Sequence, residues 1–132
     1  MYNQLNAYRR VVEETVPPER SMAEVFRRLL AVLAEASRAI HDSHIQSAHD
    51  HLVLAQEAMV YLRAGLNHET GELATNLESL YGYIHGLLVR ANLEKNTAPV
   101  EEAARLLGVL LEGWEKIEGG PALETAQSGV NA

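Results

Sequence analysis

Apolar residues return every three or four positions along almost the whole chain, and no stretch alternates with period two over a useful length. That spacing predicts helices and no sheet. The first helix runs from Pro18 or Ser21 to Ile40, with Val25, Phe26, Leu29, Leu30, Leu33, Ala36 and Ile40 inward. Pro18 suits a first-turn position, while Ser21 with Glu24 three residues on reads as a capping box, and the pattern is compatible with either start. The polar run His41-Asp42-Ser43-His44 is a turn. A second helix follows from about Ile45 to Ala64, burying Ala48, Leu52, Ala55, Ala58, Met59 and Leu62, with Gly65 as its stop. Gly71 breaks the period before a third helix at about Glu72 to Glu94. A fourth starts near Thr97-Ala98-Pro99, where Pro and two following acids suit a first turn. It turns Val100, Ala103, Ala104, Leu107, Leu110, Leu111, Trp114 and Ile117 inward.

Four helices of roughly 20 residues, each about 30 Å long and joined by short polar links, predict an all-α fold: an antiparallel up-down four-helix bundle. Residues 1–17 lie outside it and carry Leu5, Tyr8, Val11, Val12 and Val16 at partly helical spacing, as an extra short N-terminal helix or arm. The expected division is therefore an arm at 1–17, a bundle at 18–117 and a flexible tail at 118–132, where two glycines and a proline follow Glu118.

The third helix carries more than a core stripe. Leu77, Leu80, Ile84, Leu87, Leu88 and Ala91 form that stripe, Asn76 and Tyr83 lie along one shoulder, and Tyr81 and Asn92 lie along the other. Gly82 and Gly86 sit on the back with Val89 and Leu93, and two glycines four apart let another helix approach closely. On the second helix Leu54 and Tyr61 fall opposite the Leu52 face, with Val53 and Val60 in a row between the faces. Scattered surface apolar residues are ordinary, and asparagines near helix ends are often caps. If the rows are a site, they suit an amphipathic segment laid between helices.

Composition narrows the choices. A chain of 132 residues is one domain by size, with no cysteine for disulfides, thiolate metal sites or a thiol nucleophile. With 11 Lys and Arg against 18 Asp and Glu, the net charge of −7 argues against nucleic acid. No run of 18 apolar residues exists to insert in a membrane, and the N-terminus lacks the apolar core of a signal peptide, so the expected compartment is the cytoplasm.

Catalytic and cofactor chemistry is hard to place. No Glu or Asp is followed three residues later by His, which removes the di-metal carboxylate site that bundles often house. The six histidines, His41, His44, His49, His51, His68 and His85, lack zinc-site spacing and read as surface residues, so no metal or other cofactor is expected. A histidine phosphotransfer bundle shares the architecture, but no basic residue follows His85 one turn on to receive phosphate charge. A self-associating helical adaptor is the other alternative to a peptide-binding bundle, and the chain itself is expected to be a monomer or weak homodimer.

The stretch Asn76-Leu77, Leu80-Tyr81, Tyr83, Leu88 and Ala91-Asn92, with Trp114 about twenty residues on, resembles the signature of the flagellar export chaperone FliS family. Asn6-Ala7-Tyr8 ahead of Pro17-Pro18-Glu19, and the run from Ala48 to Met59, are similar to further family patterns, so the likeness covers residues 6 to about 117. The resemblance implies a cytoplasmic, non-enzymatic chaperone. Its client would be the disordered C-terminal segment of flagellin, kept from early polymerisation and delivered to type III export, with export-apparatus components as further partners. It also implies that Tyr8 sits on an arm covering part of the client groove; the apolar rows read from the helix surfaces, Leu54, Tyr61, Val89 and Leu93, would then supply the contact, bordered by Asn76, Tyr81, Tyr83 and Asn92. The chain departs from the family pattern in the first helix, with Val25-Phe26-Arg27-Arg28 where Leu-Tyr-Asp-Gly is usual, and in Gly82 where an acid is frequent.

Overall fold

The computed structural model describes residues 21–131, and for Thr70 and residues 120–131 the backbone alone. Four helices follow one another: α1 (Met22–His41), α2 (Ile45–Ala64), α3 (Glu72–Glu94) and α4 (Thr97–Asn131), with one 3-10 turn at His68–Thr70 before α3. Each helix packs on its neighbours in sequence, and α1 also packs on α4, which closes the ring. This is the expected all-α up-down arrangement. The arm, including Tyr8, lies outside the described residues.

Local chemistry sets the helix ends. Ser21 is the N-cap of α1, its Oγ accepting the Glu24 amide at 3.1 Å, which decides between the two possible starts. The Glu24 carboxylate pairs with Arg27 one turn on at 2.8 Å. The first turn closes as expected, with Ser43 left-handed at φ 58°. Gly65 is the C-cap of α2 at φ −83°, so the helix stops there without using glycine's freedom. Gly71 does use it: φ 79°, ψ −132° is open to few other residues, and it turns the chain into α3. Lys95 ends α3 in the left-handed region, and Asn96 accepts the Ala98 amide at 3.0 Å as α4 begins.

The core combines Val25, Phe26, Leu29, Leu33 and Ala36 of α1, Leu52, Ala55, Ala58 and Met59 of α2, Tyr81, Ile84, Leu87, Leu88 and Ala91 of α3, and Val100, Ala103 and Leu107 of α4. Leu30, Ile40, Leu62, Leu77, Leu80, Ala104, Leu110, Leu111 and Trp114 pack partly buried around it. Ile117, expected inward, is 63% exposed. It lines a surface groove together with Leu73 of the first turn of α3, and no further helix among the described residues covers it.

Helical backbone continues beyond Ile117 to Asn131, past the point where the pattern ended the last helix. Glu118, assigned to the tail by composition, belongs to the bundle, since its carboxylate accepts the Met22 amide at 2.7 Å.

Candidate functional site

Two concavities open where α1 and α3 begin and α2 ends. The first, about 420 Å3, is lined by Met22 of α1, Tyr61, Leu62 and Gly65 at the end of α2, Leu66 and Asn67 after it, Leu77 and Tyr81 of α3, and Trp114 of α4. All four helices contribute, so it is the open end of the bundle.

The second is a groove between α3 and α4, about 210 Å3, lined by Leu73, Leu77, Val109, Leu110, Gly113, Trp114 and Ile117. Leu77 and Trp114 are common to both cavities and form the ridge between them. Leu73, Val109 and Ile117 are among the most exposed large apolar residues described. Gly113 leaves a gap in the α4 wall, since a Cβ there would meet nothing within 4 Å. Apolar clefts of this kind favour aliphatic or aromatic partners over charged ones.

The expected site residues divide among several places. Asn76 and Tyr83 are exposed on α3. They share a helical face with Leu73, three and ten residues away, and the Tyr83 hydroxyl donates to Glu102 of α4 at 2.7 Å, so that face adjoins α4 and the groove. Tyr61, 41% exposed, lines the end cavity.

Tyr81 is not a shoulder residue. It is 1% exposed, with its ring 6.5 Å from that of Phe26, because α3 packs on both α2 and α4 and its buried arc is wider than one stripe. Leu54 is likewise not on an outer face. It packs half-buried against the core, since α2 is flanked by both α1 and α3.

Val89 is half-buried and Leu93 is exposed, and neither lines a described cavity. Asn92 is engaged, its Oδ1 accepting Lys95 Nζ at 2.7 Å and its amide lying 3.1 Å from His49 Nδ1.

The α2–α3 face, which carries several of the expected contact residues, is instead closed by polar links at heptad spacing. His49 meets Asn92, the Gln56 side-chain amide donates to the Leu88 carbonyl at 3.4 Å, and the Arg63 guanidinium lies over Gly82 with Glu78 at 3.8 Å. Gly82 therefore makes room for a side chain rather than a helix. At Gly86 an added Cβ would meet nothing within 4 Å.

His85, half-buried beside this seam, titrates below the ordinary histidine range because burial disfavours the cation and Arg63 adds repulsion. Among the described residues no group of three or more His, Cys, Asp or Glu side chains is placed to hold a metal ion. No helix among them is long and apolar enough to cross a membrane.

Sequence reasoning missed the groove residues Leu73, Val109 and Gly113. The available signal was the spacing of Val109, Gly113 and Ile117 by four, one edge of α4 next to its core stripe.

Fold and clefts together define a class: a small antiparallel helical bundle with apolar concavities at its surface. Comparison with known proteins narrows the class to one family. The family described as "Flagellar protein FliS" matches residues 1–121. The chain is 31% identical over 101 residues to the flagellar secretion chaperone FliS of Escherichia coli (strain K12), spanning 75% of this chain and 74% of that one. It is 23% identical over 114 residues to that of Bacillus subtilis (strain 168), covering 86% and 85% respectively. Against the Salmonella typhimurium protein the identity is 44% over 57 residues, a match spanning 42% of each chain. The chain belongs to the FliS family, a family of flagellar secretion chaperones and not of enzymes.

Proposed function

We propose that this chain is a cytoplasmic export chaperone that binds the disordered C-terminal segment of flagellin, prevents its premature polymerisation and assists flagellar type III secretion. The observation that carries this reading is the pair of apolar cavities sharing Leu77 and Trp114. A segment that orders on docking loses several kcal/mol of conformational freedom, so it needs a large apolar contact, and two adjoining concavities offer one to a continuous chain.

In this reading Leu73, Val109 and Ile117 grip the client in the α3–α4 groove, Asn76 and Tyr83 border it, and Tyr61 receives it at the bundle end. Leu54, Val89, Asn92 and Leu93 are peripheral to the client, and Tyr81 acts through the core. Export-apparatus components are further partners. Residues 1–20 join α1 beside Met22, a wall of the end cavity, so an N-terminal arm carrying Tyr8 competes for that cavity in the free protein.

The test is calorimetric titration with a peptide of the flagellin C-terminal segment. Val109→Asp with Ile117→Asp abolishes binding while circular dichroism stays helical, and deletion of residues 1–17 strengthens it. Unchanged binding in the double variant would place the client elsewhere. Dimers seen by sedimentation without client, and broken by the same two substitutions, would favour a self-associating adaptor.

A further inference from the structure

Glu118 stands at an unusual place. Its carboxylate, from the far part of α4, accepts the Met22 amide at 2.7 Å and the Ala23 amide at 3.3 and 3.4 Å. These are first-turn N–H groups of α1, which have no partner within the helix. An anion there also complements the helix dipole. One turn earlier in α4 stands Trp114, the ridge of both cavities, and the residue before Glu118 is Ile117, a wall of the groove.

The stretch that carries these walls is weak as helix. Gly108 and Gly113 precede them, and Gly119, Gly120 and Pro121 follow, all residues of low helix propensity. Local preference alone would let this stretch fray. The other described polar link from it to α1 is Arg27–Glu115 at 3.1 Å, an exposed ion pair, and exposed pairs contribute little. The charge-assisted bonds of Glu118 to two otherwise unpartnered amides are the stronger tie.

We propose that Glu118 is a positioning residue of the client site: capping α1 from α4, it holds Trp114 and Ile117 where they wall the two cavities. The proposal rests on the client site assigned above. A wall held in place before the client arrives spares the cost of ordering it on binding.

Trp114 is the single tryptophan of the chain, so its fluorescence reads the wall directly in the full-length protein. In Glu118→Ala, Trp114 emission shifts to the red, acrylamide quenches it more strongly, and the Kd for the flagellin C-terminal peptide rises about tenfold. Glu118→Gln keeps the shape and an acceptor oxygen but loses the charge, and falls between wild type and Ala in all three. Glu115→Gln moves none of them by more than about twofold.

If quenching and emission in Glu118→Ala match wild type, the wall does not depend on Glu118 and the proposal is overturned. If the tryptophan signal moves but the peptide binds as tightly as before, the positioning role is overturned. If the peptide fails to bind wild type, the client assignment and the positioning role both fall, and the fluorescence still shows whether Glu118 holds the wall.

Discussion

Tyr83 on α3 donates its phenolic hydrogen to Glu102 on α4 at 2.7 Å, joining two residues that the sequence separates by 19 positions. This bond raises the Tyr83 pKa, because it favours the protonated phenol; partial desolvation adds to the shift, and Arg90 and Arg105 oppose it. A folded-state pKa above the unfolded value means that the stabilisation is complete below about pH 10 and is lost as the pH climbs through the folded value. Urea melts of Tyr83→Phe should therefore show a small loss near neutrality that disappears at strongly alkaline pH. A variant equally destabilised at both ends would contradict the assignment.

His85 gives the opposite sign for a different reason. Its cation is disfavoured in the fold, first by burial and then by Arg63. With the folded pKa below the unfolded one, near 6.5, the unfolded state takes up protons first, so stability falls as pH drops from about 6.5 toward the folded pKa and then levels. His85→Gln should flatten the urea midpoint between pH 7.5 and 5 relative to wild type. Parallel profiles for the two proteins would show that His85 is not the titrating group.

The two glycines on the back of α3 should behave differently. Gly86→Ala meets nothing within 4 Å and should stabilise the chain by about 1 kcal/mol through helix propensity alone. Gly82→Ala brings a methyl within 3.3 Å of the Arg63 guanidinium, a flexible group that must shift, so its gain should be smaller. If a client helix packs closely here, Gly86→Ala will also weaken peptide binding. Unchanged affinity would remove Gly86 from the contact.

Burial separates Leu107 from Leu93. Leu107 is fully buried, and Leu107→Ala should cost about 2–5 kcal/mol in thermal or chemical denaturation. Leu93 is 81% exposed, and Leu93→Ala should stay within about 0.5 kcal/mol. A Leu93 variant as destabilised as the Leu107 variant would mean that this face is covered by something beyond the described residues.

The helix boundaries were largely legible because their causes are local. Ser21, Gly71 and the Thr97-Ala98-Pro99 start act within a few residues of themselves, and the turn at 41–44 falls where the apolar period stops. Candidate site residues fared unevenly because a helical wheel gives an angle and not a neighbour. Tyr81 and Leu54 looked peripheral on isolated helices and were drawn inward by helices on both sides. Asn76 and Tyr83 shared a shoulder in the pattern, and the bond to Glu102 shows which helix that shoulder meets.

The amino-acid order alone determined four helices, most of their inner faces and the absence of thiol chemistry, since periodicity and residue type need no knowledge of the rest of the chain. Tertiary structure decided where surface becomes concave. The α3–α4 groove exists because α4 runs beside the first turn of α3, and the end cavity because Met22, Tyr61, Leu77, Tyr81 and Trp114 come together where α1 and α3 begin and α2 ends. The tie from Glu118 to Met22, which spans 96 positions, belongs to the same level. Its carboxylate has no reason to be an N-cap until packing brings the start of α1 within 2.7 Å of it.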